Sequence, residues 1–93
     1  MKRKITCLDN YEAQKLSTMI YIKDGKETFI TKILNIVENE IVVLLKDKSA
    51  HSILLKDNSQ AESFADFIQS VIEKDHKIIE TTIIGNEVEI IKE

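Results

Sequence analysis

Three side chains of this 93-residue chain have the chemistry of soft nucleophiles or transition-metal ligands: Cys7, His51 and His76. A zinc site draws three or four such ligands from short, defined spacings, and none of the three has another within twenty residues. A Cys–His nucleophile pair would need Cys7 to meet a histidine in space. The thiol instead sits in the stretch Ile5-Thr6-Cys7-Leu8, whose apolar character predicts a packed structural cysteine. His51 falls on a strand, roughly opposite Leu44, and reads as a half-buried or rim histidine. His76 follows a helix, where a cation favours the carboxyl end of the dipole. The two glycines, Gly25 and Gly85, stand sixty residues apart and cannot form a phosphate-cradling loop. No catalytic residue, metal ligand or cofactor site is assigned, and the chain is read as not an enzyme.

The carboxylates form a clearer pattern. Glu62, Asp66, Gln69 and Glu73 follow i, i+4, i+7 and i+11, which places them in one outward stripe if their segment is helical. Glu80, Glu87 and Glu89 add acidic side chains farther along. One reading is a solvated face that keeps a small protein soluble. The other is a surface for a protein partner with a basic face, one that ordinarily holds nucleic acid. Acid–base catalysis would need a cleft that shifts the pKa values, and nothing implies one. These seven residues are the candidate partner-binding set.

The segment that must carry the stripe runs from Ser59 to Lys74. Ala61, Phe64, Ala65, Ile68, Val71 and Ile72 recur at helical spacing, and Ser59 with Glu62 matches a capping box. Phe67 lies at the margin of the apolar arc, where it closes the core edge or rims a contact; the core edge is preferred. Around this helix the chain reads as β-strand. Lys23-Asp24-Gly25-Lys26 predicts a hairpin between Thr18–Lys23 and Lys26–Val37, with a bulge near Thr31-Lys32. Glu38-Asn39-Glu40 turns into Ile41–Leu45, apolar at every position and so read as a central strand covered on both faces. Ala50–Lys56 returns antiparallel to it. Asp75-His76-Lys77 breaks the helix, and Ile78–Ile84 pairs with Glu87–Ile91 through Gly85-Asn86, setting Ile83 against Val88 and Thr81 against Ile90. Near the start, Lys4–Leu8 reads as a strand and Asp9-Asn10-Tyr11-Glu12 as a helix start running through Leu16, with a β-hairpin as the rival. A helix-then-hairpin order occurs around both Gly25 and Gly85, but the side-chain patterns do not superimpose, and no repeat is read.

Composition bounds what such a chain does. Ninety-three residues make a single domain, residues 1–93. Sixteen residues are Ile and five are aromatic, a β-branched core that favours sheet. Twelve Lys against one Arg, with so much Ile, suggests the codon supply of a bacterium or phage. The net charge of −3 divides unevenly. Residues 1–33 carry seven basic and four acidic groups, the later residues six and twelve. Lys2-Arg3-Lys4 reads as a solvated tail, and the acidic remainder argues against a broad nucleic-acid surface. A lone cysteine, no long apolar run and no signal-peptide pattern predict a cytoplasmic protein without membrane association.

From Met19 to Lys46 the chain resembles Sm-like RNA-binding proteins, whose short helix precedes a strongly bent meander. Ile20 to Lys26 looks like its start, and Ile33 and Ile41-Val42-Val43-Leu44 fall where its apolar strand residues sit. The resemblance implies a nucleic-acid-binding barrel with Lys2, Arg3, Lys4, Lys23, Lys26 and Lys32 as phosphate contacts. It covers under a third of the chain, and Ile30 stands where the family has glycine, so it assigns no family. The expected architecture is α+β: a twisted antiparallel sheet or meander of five or six strands, one amphipathic helix packed on a face, and a C-terminal β-hairpin. Such a sheet leaves edges to cover, which predicts a homodimer. The expected function is a non-enzymatic protein-interaction module, a small regulator or inhibitor. A nucleic-acid-binding barrel is the alternative.

Overall fold

Asp9 and Asp57 open the two helices of the protein in the same way. Each carboxylate Oδ1 accepts from the backbone N–H three residues on, Glu12 and Gln60 respectively, at 2.9 Å in both cases. This satisfies one of the amides that every helix start leaves without a partner. The computed structural model describes residues 2–20, 29–74 and 78–92. In chain order it contains β1 (Lys2–Thr6), α1 (Asn10–Ile20), β2 (Ile30–Val37), β3 (Glu40–Leu45), β4 (Ala50–Leu54), α2 (Asn58–Lys74), β5 (Ile78–Ile84) and β6 (Glu87–Lys92).

The α+β architecture and the C-terminal hairpin are as expected, with Thr81 opposite Ile90 and Ile83 opposite Val88. Gly85 takes a φ of +63° at the first turn position, where a glycine carries no steric cost. The six strands divide between two antiparallel sheets of three, β1-β6-β5 and β2-β3-β4, rather than forming one. They meet where Cys7 and Leu55 form an isolated bridge. Helix α2 packs on β1, β2 and β3, while α1 packs on β4, β5 and β6, so each helix spans both sheets.

Several local expectations change. Lys2-Arg3-Lys4 lies in β1 and is not a tail, because β6 supplies it with a ladder partner at every residue. The helix expected from Asp9 is present rather than the rival hairpin, but α1 continues past Leu16, so Thr18–Ile20 is helical instead of beginning a strand. The rest of the hairpin predicted around Asp24-Gly25, and Asp75-His76-Lys77, lie outside the described residues. The α2 cap is Asp57 rather than Ser59, since the chain enters the helix two residues earlier than a Ser59 cap implies. Strand β3 is central but alternates between buried and half-buried positions, being covered fully on one face only. His51 pairs with Val43, not Leu44. The predicted bulge appears between Ile30 and Lys32, and a second lies between Ile33 and Asn35.

The register also reveals an internal duplication. An offset of 48 residues (Lys2 to Ala50) converts the β1–β6 pairing into the β4–β3 pairing, provided β6 and β3 are related by 47 (Ile91 to Leu44). The same relation converts the β2–β3 ladder into the β5–β6 ladder pair by pair, from Ile30↔Leu45 with Ile78↔Lys92 to Val37↔Glu40 with Ile84↔Glu87. The offset falls by one because β2 contains an extra residue, Leu34, at its second bulge.

Hydrogen bonds obey the same rule. Leu8 N–H donates to Leu54 O and Lys56 N–H to Thr6 O, both at 3.0 Å. Cys7 N–H donates to Asn86 O at 2.7 Å and Leu55 N–H to Asn39 O at 2.8 Å. The Asn86 side-chain amide returns to Cys7 O at 3.0 Å, and that of Asn39 to Leu55 O at 2.9 Å. The chain is therefore two strand–helix–strand–strand units related by a pseudo-two-fold through the Cys7–Leu55 bridge. Each unit donates its first strand to the other unit's hairpin. The shared core follows suit: Ile5 with Ile53, Leu16 with Phe64, Ile20 with Ile68, Ile30 with Ile78 and Val43 with Ile90 are all buried. Each contributes on the order of 1.5–3 kcal/mol by leaving water.

Candidate functional site

The amphipathic period of α2 puts Phe64, Phe67, Ile68 and Val71 into the core and leaves Glu62, Asp66, Gln69 and Glu73 exposed along the opposite face. Gln69 Nε2 donates to Glu73 Oε1 at 3.0 Å. None of Glu62, Asp66 and Glu73 is in an ion pair among the described residues. The four residues expected to form a stripe are thus brought together in one.

The other three candidates stand apart from it. Glu80 is exposed on the edge strand β5. Glu87 and Glu89 lie half-buried on the central strand β6, beside β1. Glu89 sits 3.5 Å from Lys2 Nζ and Glu87 3.8 Å from Lys4 Nζ. The basic cluster near the chain start therefore balances the acidic charge of the hairpin locally. Pairs this exposed contribute little to stability, but they cancel the field that a basic partner would sense. Sequence spacing carries no trace of this pairing, which joins residues from opposite ends of the chain.

The internal duplication supplies a control for the stripe. Gln14 and Thr18 of α1 are the counterparts of Glu62 and Asp66, and both are equally exposed. Both fold positions are neutral on α1 and acidic on α2. The carboxylates are not a requirement of this helix packing on these sheets.

The remaining chemistry-bearing groups are tied into structure. Cys7 is fully buried, and burial, with Glu12 and Asp9 nearby, pushes its thiol up to about 12. A thiol that keeps its proton is a poor nucleophile. Glu12, although buried, accepts from Leu54 N–H through Oε1 at 3.1 Å, and its Oε2 forms an ion pair at 3.1 Å with Lys15 Nζ. That oxygen has no aligned hydrogen-bond donor. Gln60, the counterpart of Glu12, makes the equivalent bond from Thr6 N–H to its Oε1 at 2.9 Å.

His51 is exposed, with Nε2 3.0 Å from Ser49 Oγ, while the Ser49 hydroxyl and backbone N–H both donate to Asp47. Those bonds hold the Asp47 carboxyl below its ordinary range. The order is Asp–Ser–His, so the serine proton is committed to the carboxylate and the imidazole has no hydroxyl to activate. His76, Lys23 and Lys26 lie outside the described residues. Of the other expected phosphate contacts, Lys2 and Lys4 are in ion pairs, Arg3 bonds to Ser63 Oγ at 3.2 Å, and Lys32 is exposed on β2. Among the described residues no three His, Cys, Asp or Glu side chains are grouped to hold a metal ion, and no helix is long and apolar enough to cross a membrane.

A cavity of about 360 Å³ is lined by Lys15, Thr18, Met19, Phe29, Leu45 and His51. At the counterpart of Met19 in the other unit stands Phe67. There the ring of Phe67 is buried, with Arg3 Cζ at 5.5 Å and Lys92 Nζ at 5.7 Å from its centroid. This settles Phe67 as a core-edge residue. Met19 corresponds to Phe67, His51 to Arg3 and Leu45 to Lys92. The cavity thus lies beside a thioether chain where the other unit places a buried aromatic ring. Comparison with protein-family models, curated proteins and solved structures returns no match.

Proposed function

We propose that the protein is a non-enzymatic interaction module, a small cytoplasmic regulator or inhibitor of bacterial or phage origin that presents the outer face of α2 to a basic protein partner. The supporting observation is the asymmetry between the two helices. α1 and α2 occupy equivalent places in a duplicated fold, yet the exposed positions that are Gln14 and Thr18 on α1 are Glu62 and Asp66 on α2, which with Glu73 are in no ion pair among the described residues. A stripe needed only for packing or for the helix itself would recur at Gln14 and Thr18. Unbalanced charge on one face steers a partner of opposite sign and sets the rate of encounter.

The test is charge reversal on that face, Asp66→Lys with Glu73→Lys. Both positions are exposed, so the fold is expected to persist, with an unchanged circular dichroism spectrum. Affinity purification from the source cells with the native chain should retain a basic protein that the double variant loses. An unchanged set of retained proteins would show that the stripe only solvates the helix. A parallel titration with single-stranded RNA across a salt series checks the other class of partner. Tight binding that weakens steeply with salt would overturn the proposal in favour of a phosphate-contacting surface.

A further inference from the structure

Strand β2 is an edge of its sheet among the described residues, and it exposes three large apolar side chains in a row of four: Leu34 at 45 %, Ile36 at 42 % and Val37 at 54 %. Open apolar edges are templates for another strand, and proteins ordinarily blunt them. The twin strand β5 is more polar through its middle, although Ile79 and Ile84 are exposed near its ends. Where β2 has Lys32, Ile33 and Asn35, β5 has Glu80, Thr81 and Thr82, and it lacks any counterpart of Leu34. The close run of exposed apolar side chains thus belongs to β2, since on β5 the polar Glu80, Thr81 and Thr82 stand between Ile79 and Ile84.

We propose that β2 is a self-association edge, on which a second copy of this chain adds its own β2 antiparallel about a two-fold axis at Asn35. The sequence Lys32-Ile33-Leu34-Asn35-Ile36-Val37-Glu38 is complementary to itself when reversed. Asn35 meets Asn35, Leu34 meets Ile36, Ile33 meets Val37, and Lys32 meets Glu38 at both ends. An isologous interface requires this self-complementarity, because each residue and its opposite are presented twice. Opposite charges facing each other across antiparallel strands stabilise the register, and like charges oppose it. In the single chain, Asn35 Oδ1 accepts from Ile36 N–H at 3.0 Å, a side chain standing in for the strand carbonyl that a neighbour would supply. The corresponding reversal of β5 about Thr82 puts Glu80 against Ile84 and matches no charges. This inference is independent of the α2 reading.

The experiment is a charge swap read by sedimentation equilibrium of the full chain between about 5 and 200 µM. The native chain is expected at twice the chain mass of 10.7 kDa in the upper part of that range. Lys32→Glu and Glu38→Lys each place like charges opposite one another twice, and each should raise the dissociation constant by roughly ten-fold. The double variant exchanges the two charges and should restore the native value. Lys48 already adopts a φ of 71°, so a lysine at position 38, where φ is 54°, is compatible with the turn. A native chain that stays at the single-chain mass overturns the proposal. So does a dimer that neither single reversal weakens, since self-association then uses another face, and so does a double variant no tighter than the singles.

Discussion

At the scale of single residues, the pseudo-two-fold shows which side chains the fold requires and which it merely tolerates. Asp9 and Asp57, Asn39 and Asn86, and Ala13 and Ala61 are identical because each makes the same contact twice. Glu12 and Gln60 share the strand amide bond but differ in charge, so the Glu12–Lys15 pair is an addition to the common design. Cys7 and Leu55 share burial and the same backbone bonds but not side-chain chemistry, so the thiol itself has no role in the joint. That predicts an alkaline signature. The folded chain holds the thiol proton to about pH 12, whereas the unfolded chain releases it near 9.0. Below pH 9 this group makes stability no more pH-dependent, and above it the unfolded chain binds fewer protons, so stability falls as pH rises toward 12. Tyrosines and lysines titrate in the same window, so the informative measurement is a comparison. Urea midpoints from pH 8 to 10.5 should fall less steeply for Cys7→Val than for the native chain. Equal slopes would show that the thiol ionises as freely in the folded chain as in the unfolded one.

At the scale of elements, the parts readable in sequence were those whose signals are local. The Gly85-Asn86 turn sets the register of its own hairpin, and the apolar period of α2 sets the face it buries. Local sequence leaves the start of α2 open, because Asp57 and Ser59 are both good capping residues. The choice between them depends on Gln60 reaching Thr6, a contact across the chain. The β1–β6 ladder and its two lysine–glutamate pairs were invisible for the same reason. The cavity beside α1 is an element-scale defect with a remedy already present in the twin. Met19→Phe places at α1 the ring that Phe67 supplies at α2, and it should stabilise the protein by roughly 0.5–2 kcal/mol. Thermal unfolding reads this as a rise in midpoint of several degrees. A loss of about 1–3 kcal/mol instead would mean that the surrounding side chains cannot accept the ring.

At the scale of the whole molecule, the duplication escaped sequence comparison because most paired positions preserve burial rather than identity. Leu16 stands for Phe64 and Val43 for Ile90, while the extra residue Leu34 shifts the offset in the middle of a strand. What the duplication dictates is cooperativity. Among the described residues, strand β1 pairs only with β6 and β4 only with β3, and both helices pack on strands of the opposite unit. Neither unit therefore keeps more than its own hairpin when the other is removed, and an isolated hairpin is at best marginally stable in water. The two halves must unfold together. Ile5→Val and Ile53→Val probe this at twin, fully buried positions, one on each unit. Each should cost about 0.5–1.5 kcal/mol. Each should also lower the same single transition, whether it is followed by circular dichroism or by amide exchange at the β2–β3 and β5–β6 hairpins. A variant that loosened only the sheet holding its own strand, leaving the other hairpin fully protected, would show two independent units where the topology requires one.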